Sequence, residues 1–291
     1  MTVRQNARLG IDDVRPSIAG GTIPAKAVVG EVIPVFALIW REGHDALSAT
    51  LNVKGPKDSP SAAKTRKITM QHSPSDPDQV NAVFVPDAIG TWTFRIDAWS
   101  DPMATWRHAV TAKIDAGQSP EELANDLESG ARLFERAAQG APKAHRPMLL
   151  DVAECLRSED KELRARVAPG LSRDVLQLLE LHPVRDLLTR GKTYKVAVER
   201  SKALVSSWYE FFPRSTGGWD DQGNPVHGTL KTAARELERA ARMGFDTVYF
   251  PPIHPIGEVN RKGRNNTLTP EPHDVGSPWA IGSAAGGHDA I

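Results

Sequence analysis

The chain has 291 residues, of which 40% are hydrophobic and 25% charged, as in a globular protein large enough for two or three domains. Its 36 Lys and Arg residues balance 36 Asp and Glu residues, so net charge favours neither nucleic acid nor an anionic membrane as a partner. Residues 1–14 lack the apolar core of a signal peptide and no apolar run reaches about 18 residues, so we expect a cytoplasmic protein.

Residues 1–104 show the alternation and the turn clusters of a β-sandwich. Apolar or alternating runs predict strands at Val32–Trp40, Ala46–Val53, Arg66–Met70, Asn81–Val85 and Thr91–Trp99. In the last run Trp92, Phe94 and Ile96 fall on one face, as in a half-buried strand of a two-sheet sandwich. Trp40, Trp92 and Trp99 could have either of two roles. They could pack in a core, or they could form a surface that stacks on sugars.

Residues 105–190 switch to the helical period and predict an inserted antiparallel bundle of about four helices. Ser119-Pro120-Glu121-Glu122 is a capping box, and Gly140 marks the end of the helix that follows it. The apolar stripe of this helix consists of Leu123, Leu127, Ala131, Phe134 and Ala138. Further helices are predicted at Lys143–Leu156, Glu159–Val167 and Ser172–Thr189, the last with Leu187 on its stripe. Exposed leucine stripes would favour self-association.

The remaining 91 residues, 201–291, and the segment just before them return to strands. A strand at Lys195–Glu199 would complete the sandwich, near residues 193–200, after the helical insertion. A strand at Val205–Phe212, a helix from Thr229 and a strand at Phe245–Phe250 form a βαβ unit with parallel strands. The next loop therefore leaves the carboxyl end of a parallel strand, where ligands bind in α/β sheets and barrels.

That loop, from Pro251 to the end of the chain, has no predicted helix or strand, although Trp279 argues against plain disorder. Arg261, Lys262 and Arg264 stand close together in it and are followed by Asn265 and Asn266. Cations beside amides suit an anionic, hydroxyl-rich ligand such as a sugar phosphate. A solvated surface loop is the alternative interpretation.

Other chemistry finds little support in the sequence. The spacing of His254, His273 and His288 matches no metal motif, and the single cysteine, Cys155, is expected to be buried and inert. The carboxylates of the loop are Glu258, Glu271, Asp274 and Asp289, and nothing in the pattern pairs two of them for glycosyl transfer. A βα barrel takes about 250 residues, so we expect a partner or a longer protein to supply the rest of this sheet.

The strings WYEFFPRS, FPPIHPIG, NRKGRNN, GSPWAIGS and GGHDAI resemble the maltosyltransferases that use α-maltose 1-phosphate, within the α-amylase superfamily and glycoside hydrolase family 13. The resemblance covers essentially the whole chain. It implies an N-terminal immunoglobulin-like β-sandwich (1–104), a helical bundle inserted in it (105–190), and the first βα units of an incomplete (β/α)8 barrel (201–291).

The resemblance also implies an activity, which is transfer of maltosyl units from α-maltose 1-phosphate to the non-reducing ends of α-1,4-glucans such as glycogen, with release of phosphate. The reaction retains configuration through a covalent glycosyl-enzyme on an aspartate, with a glutamate as acid/base. Members are homodimers through the sandwich and bundle, and no metal or organic cofactor is implied.

Lys262 matches the family lysine that binds the maltosyl part of the donor. The nucleophile and the acid/base are expected beyond residue 291, so no catalytic residue is assigned and the isolated chain is expected to be inactive. The alternatives are a non-catalytic module for dimerisation or glucan binding, and a fragment of another α-amylase-superfamily enzyme such as a glucan hydrolase or branching enzyme.

Overall fold

The computed structural model describes residues 8–60 and 64–290, and these form two compact units that meet in sequence at Arg200 and Ser201. The first half of the segment that lacks a signal-peptide core, and the last residue of the GGHDAI string, lie outside the described residues. Both units mix helices and strands. Within the described ranges, no helix has the length and apolar character needed to cross a membrane.

The first unit contains two sheets. Its strands are β1 (Gly10–Arg15), β2 (Ala25–Val28), β3 (Ile33–Trp40), β4 (Leu47–Lys54), β5 (Arg66–Thr69), β6 (Gln71–Ser73), β7 (Asp76–Phe84), β8 (Gly90–Ser100) and β9 (Asp186–Glu199). One sheet has the order β1-β3-β7-β6 and the other the order β2-β9-β8-β4-β5. Neighbours are antiparallel except β2 and β9, which run parallel.

The two sheets share one apolar core. Strand β3 buries every second residue, and β8 buries Trp92, Phe94 and Ile96, as its alternation predicts. Phe84 from the first sheet lies 6.2 Å from Trp92 and 6.3 Å from Phe94 of the second, measured between ring centroids. Contacts of this kind between large aromatic side chains stabilise the packing of one sheet on the other. All five strands predicted in residues 1–104 are present and β9 includes the one predicted at Lys195–Glu199, whereas β1, β2 and β6 were not predicted.

Five helices lie between β8 and β9. They are α1 (Pro102–Asp115), α2 (Ala124–Gly140), α3 (Arg146–Arg157), α4 (Leu163–Val167) and α5 (Arg173–Leu181). The predicted capping bonds form, since Ser119 N donates to Glu122 Oε2 at 2.7 Å and Glu122 N donates to Ser119 Oγ at 3.3 Å. The regular helix starts only at Ala124 and ends at Gly140, as predicted. Its predicted apolar stripe is buried throughout, and Phe134 packs edge-on to Trp106 at 5.5 Å.

Two predictions for this region are wrong. The helix predicted at Ser172–Thr189 ends at Leu181, because Pro183 cannot continue it and the chain then pairs with β8 as strand β9. Leu187 therefore lies in a strand. Cys155 is half-exposed instead of buried, with its Sγ 3.6 Å from Lys161 Nζ.

The second unit is built on β10 (Trp208–Glu210), α6 (Leu230–Arg242) and β11 (Thr247–Tyr249). The two strands pair in parallel, which confirms the predicted βαβ unit. Thr229 caps α6, with the side chains of Thr229 and Thr232 each accepting from the other residue's backbone. The apolar face of α6 is only partly covered. It buries Ala233 and Ala240 but leaves Leu230 and Leu237 exposed.

Candidate functional site

The candidate site is built by the loop that follows β11, at the carboxyl end of the parallel strand pair. As predicted, residues 251–290 form no α-helix and no regular strand, and a single short 3-10 turn, Arg264–Asn266, interrupts them. The carboxyl ends of parallel strands are the edge where α/β proteins bind ligands. The loop therefore lies where ligand binding is expected.

Backbone hydrogen bonds tie the early part of the loop to its late part. Gly257 N donates to Ala280 O at 2.7 Å, and Gly282 N donates to Pro255 O at 3.1 Å. Ile256 and Ile281 form an isolated β-bridge between these bonds. The loop is thus an ordered structure whose shape can present side chains in fixed positions.

Arg261 stabilises the loop from inside. Its guanidinium donates to the carbonyl oxygens of Ile256 at 3.1 Å, Gly257 at 3.1 Å and Asp274 at 3.4 Å. Each of its three guanidinium nitrogens therefore donates to a backbone carbonyl of the loop itself, which directs Arg261 toward the loop more than toward a ligand. Its role is to hold the two sides of the loop together.

Arg214, which the sequence alone did not single out, makes a similar bond. Its NH1 atom donates to Gly276 O at 2.6 Å, and its guanidinium carbon lies 5.7 Å from the centre of the Phe212 ring. Arg214 comes shortly after β10, just as the loop comes after β11, and this position behind a parallel strand was the available signal. It fixes the late part of the loop against the end of the first strand.

Lys262 is the cation that the loop leaves available. Its side chain is half-exposed, and over the ranges that the structure describes its ammonium makes no hydrogen bond or ion pair. Arg264 is mostly exposed, with its Nε 4.0 Å from Asp274 Oδ1. Asn265 and Asn266 adopt left-handed backbone conformations, with φ of 52° and 63°, which asparagine tolerates better than most residues.

These side chains border a cavity of about 350 Å³. Its lining consists of Phe212, Arg214, Lys262, Gly263, Arg264, Asn265, Asn266, Asp274, Val275, Gly276, Ser277, Pro278 and Trp279. Trp279 packs edge-on to Phe212 at 5.7 Å and keeps 59% of its surface exposed. A cation, two amides and an exposed indole within one cavity of this size suit a small polar ligand that has both hydroxyl groups and an apolar face.

The carboxylates do not form a catalytic pair. Asp274 lines the cavity and accepts a hydrogen bond from Glu271 N at 2.7 Å, whereas Glu258, Glu271 and Asp289 are exposed and are not part of the lining. Retaining glycosyl transfer needs two carboxyl groups about 5–5.5 Å apart. The cavity, in the part of the chain that the structure describes, is lined by one carboxylate only, that of Asp274.

The histidines of the loop are only partly brought together. His254 and His288 lie 5.2 Å apart between ring centroids, and His254 Nδ1 lies 2.8 Å from Ala290 O. His273 is exposed and makes no ring contact with them among the described residues. Residues 8–60 and 64–290 contain no group of three His, Cys, Asp or Glu side chains suited to a metal ion.

Sequence comparison with known proteins places the chain in a family. Residues 7–200 match the family model described as alpha-1,4-glucan:maltose-1-phosphate maltosyltransferase, domain N/S. The maltosyltransferase of that name from Corynebacterium glutamicum is 67% identical over 283 residues, covering 97% of this chain and 42% of the relative. The enzymes of the same name from Mycolicibacterium smegmatis and Mycobacterium tuberculosis (strain H37Rv) are 54% and 52% identical, with 98% of this chain covered in both and 44% and 43% of the relative.

The chain thus spans less than half the length of the curated relatives it matches. The family model nevertheless covers well over half of the chain, across both sheets and all five helices of the first unit. The chain belongs to the alpha-1,4-glucan:maltose-1-phosphate maltosyltransferase family.

Proposed function

We propose that this chain is the front part of an enzyme that transfers maltosyl units from α-maltose 1-phosphate to the non-reducing ends of α-1,4-glucans and releases phosphate. The observation that carries this proposal is Lys262, whose ammonium faces no partner among the described residues and borders a cavity with amides and an exposed indole. The name that the relatives share includes both an α-1,4-glucan and maltose 1-phosphate.

In this proposal the loop forms one wall of the donor site. The Lys262 ammonium donates to hydroxyl groups of the maltosyl part, and Asn265 and Asn266 can both donate to and accept from such hydroxyls. Arg261 and Arg214 hold the wall in shape through their bonds to backbone carbonyls. The loop thus orients the donor without taking part in bond breaking.

The chemistry requires groups that we place beyond residue 291. An aspartate there attacks the anomeric carbon as phosphate leaves, forming a covalent maltosyl-enzyme. A glutamate then removes the proton from the acceptor hydroxyl as that oxygen displaces the aspartate, so configuration is retained. The 291-residue chain should therefore be inactive by itself.

The finer architecture is proposed on the same basis. The two sheets that share a core would be an immunoglobulin-like sandwich with the five helices inserted before β9, and the β10–α6–β11 unit would begin an incomplete (β/α)8 barrel. A cytoplasmic location remains a prediction from the sequence.

We further propose a homodimer formed through the sandwich and the bundle. Exposed leucines on the first unit support it, namely Leu150, Leu181, Leu187 and Leu188. Sedimentation equilibrium at tens of micromolar protein tests it, and a monomer under those conditions would contradict the dimer.

Phosphate release from α-maltose 1-phosphate with glycogen as acceptor tests the proposed activity. We expect none from the 291-residue chain and clear release from a chimera that joins it to the remaining part of the Corynebacterium glutamicum relative. In the chimera, Lys262→Ala should raise KM for the donor at least about tenfold, because a hydrogen bond to a charged group contributes about 1.5–3 kcal/mol.

The matched control is Lys67→Ala in the chimera, which removes an exposed lysine from β5 of the first unit. Its KM should not change. Turnover by the 291-residue chain alone would contradict the assignment of the catalytic groups, and an unchanged KM in the Lys262→Ala chimera would contradict the role of Lys262.

A further inference from the structure

A cavity lies where the inserted helices meet the outer face of the five-stranded sheet, within the first unit. Its volume of about 740 Å³ is typical of sites for small ligands. Strands β4 and β8 form its floor with Ser48, Thr50 and Trp99, and helices α1 and α5 form its walls. These strand residues lie on the face opposite to the shared core, because their neighbours Ala49 and Ala98 belong to that core.

The floor of this cavity contains a hydrogen-bond donor that has no acceptor. Trp99 is 2% exposed, and over residues 8–60 and 64–290 its Nε1 is the one fully covered side-chain nitrogen or oxygen that makes no hydrogen bond. The other two buried tryptophans of this unit are paired, since Trp92 Nε1 donates to Ala88 O at 2.9 Å and Trp106 Nε1 donates to Asp126 O at 2.8 Å. Because a buried donor without a partner is destabilising, the exception at Trp99 indicates a missing partner.

A guanidinium group lies against the same indole. The guanidinium carbon of Arg185 is 4.3 Å from the centre of the Trp99 ring, and its one described hydrogen bond goes to Thr50 Oγ1 at 3.3 Å. A guanidinium has five N–H donors, so most of those of Arg185 have no acceptor in the part of the chain that the structure describes. Burial lowers the pKa of Arg185, and the negative charge of Asp97 opposes that shift. The floor of the cavity is therefore short of hydrogen-bond acceptors.

The walls of the cavity add further donors. Arg107 on α1 and Arg173 on α5 line it, are exposed, and make no hydrogen bond or ion pair with any described residue. The lining also contains two carboxylates, those of Asp101 and Glu180. Asp101 already accepts from a serine hydroxyl and a backbone amide, and Glu180 is exposed. The free hydrogen-bonding capacity around the cavity is thus mainly that of donors.

We propose that this cavity binds a small anion through a phosphate or carboxylate group. An oxygen of that group accepts from Trp99 Nε1, and its charge is balanced by Arg107 and Arg173, because planar guanidinium groups match both kinds of anion. The Nε1 atom is covered, so the anion has to displace a neighbouring side chain to reach it. Arg107 and Arg173 are free to move, since no described hydrogen bond or ion pair holds their charged ends.

Other occupants fit this cavity less well. Each hydroxyl of a neutral sugar donates as well as accepts, whereas the site offers few free acceptors. A protein interface buries about 800 Å² on each partner, which is more than a cavity for a small ligand provides. A water molecule would satisfy the indole and leave the guanidinium groups without an anion, so it is the alternative that an experiment must separate.

The inference does not rest on the proposed function, because all of its residues belong to the first unit and none belongs to the loop. An anion bound here would contact strands β4 and β8 and helices α1 and α5 together. It should hold the inserted helices on the sheet and raise the stability of the first unit, since a ligand that binds only the folded state stabilises that state.

NMR of the indole N–H groups tests the site in the 291-residue chain. Inorganic phosphate and citrate, added separately at constant ionic strength, supply the two kinds of anion, and maltose is the neutral control. We expect at least one of the anions to shift the Trp99 Nε1–H signal and to raise the thermal midpoint, whereas maltose should do neither. The signal that is lost in Trp99→Phe identifies Trp99.

Two variants at exposed positions make the test independent of the buried indole. Arg107→Ala and Arg173→Ala remove exposed side chains, so both should fold, and each should weaken binding of the anion about tenfold or more. The matched control is Arg235→Ala on α6, at an exposed arginine outside the cavity, which should bind the anion as the parent chain does.

Three results would overturn the inference. The first is an unshifted Trp99 signal with tens of millimolar of either anion, which would leave a water molecule as the acceptor for the indole. The second is an equal shift with maltose, which would make the ligand a neutral sugar. The third is unchanged affinity in both Arg107→Ala and Arg173→Ala, which would show an adventitious ion only. None of these results concerns the loop, so the proposed function would stand.

Discussion

The two units of this protein differ in how they treat their apolar residues. In the first unit the alternating strands and the helical stripes are buried in two cores, one between the sheets and one among the helices. In the second unit, among the described residues, Ala233 and Ala240 are the buried hydrophobic side chains, while Leu230, Leu237 and Trp208 are exposed. The second unit thus has the apolar pattern of a folded protein, but most of these apolar side chains are not packed in a core.

This difference indicates what each unit needs. The first unit buries its own hydrophobic surface and has the composition of an independent folding unit. The parallel pair β10 and β11 and the exposed face of α6 require further elements, because parallel sheets are normally covered on both faces. The relatives, more than twice as long as this chain, have the length to supply those elements.

The largest expected effect on stability comes from the core of the first unit, and the exposed face of α6 in the second unit serves as its comparison. Phe134→Ala should lower the free energy of unfolding of the first unit by about 3–5 kcal/mol, because the ring is fully buried against Trp106. Leu237→Ala, at a side chain that is 43% exposed on α6, should change stability by less than about 0.5 kcal/mol. Urea unfolding followed by circular dichroism measures both. Equal losses would show that the α6 face is covered in solution.

A smaller effect is expected where helices pack closely. A Cβ atom at Gly130 of α2 would overlap the Trp106 ring, so Gly130→Ala should cost about 1–3 kcal/mol. At Gly140, the end of the same helix, a Cβ would meet no heavy atom within 4 Å outside its chain neighbours and the backbone of its own helix, so Gly140→Ala should be close to neutral. The shift in thermal midpoint compares the two variants. A neutral Gly130→Ala would mean that the bundle repacks easily.

In the second unit, capping should matter more than packing. Thr229→Ala removes the cap of α6 and should destabilise this helix by about 1 kcal/mol, while Thr229→Ser keeps the accepting oxygen and should not. Hydrogen exchange of the α6 amides measures the change locally. Equal protection in both variants would indicate that tertiary contacts, and not the cap, hold the start of α6.

The smallest expected effect depends on pH. Hydrogen bonds from Arg157 and Arg132 lower the pKa of Glu128 from 4.5 to about 2. Since the pKa is lower in the folded state, the stabilisation is present above pH 4.5 and is lost as the pH falls from 4.5 to about 2. The pair is exposed, so the effect should be small and should weaken in high salt.

Urea midpoints measured across that acidic range test the prediction. Glu128→Gln should flatten the dependence on pH, whereas Glu154→Gln, at an exposed carboxylate on α3 without a described partner, should leave it unchanged. Identical curves for the parent chain and Glu128→Gln would contradict a role for this ion pair in joining α2 to α3.

The period of the apolar residues correctly predicted those strands and helices that bury one face. The strands with Phe94 and Val35, the stripe with Phe134, and the βαβ unit around Thr229 all appear where the residues indicated. The prediction failed at residues 182–189, where Pro183 already indicated the end of the helix but the sequence after it did not show that a strand begins. Pairing with β8 decided the outcome, and no local property of the chain specifies that partner.

The candidate site shows the same limit. The sequence placed Lys262 in a polar loop after a parallel strand, and the structure describes it there. Charge pattern alone could not distinguish Lys262 from Arg261, because both are cations in one short string, and only the family resemblance singled out Lys262. Only the folded loop brings the carbonyl oxygens of Ile256, Gly257 and Asp274 around the Arg261 guanidinium. Among the described residues, it leaves the Lys262 ammonium without a partner.

The sequence by itself determined most of the elements, the faces they bury and the family resemblance, because alternation, helical period and motif strings are local properties of the chain. The tertiary structure decided which apolar residues stay exposed. Trp40 and Trp92 are both tryptophans on predicted strands, yet one lies on the outer face of a sheet and the other in the core between two sheets. That difference arises from the arrangement of strands distant in sequence, which determines the surroundings of each side chain.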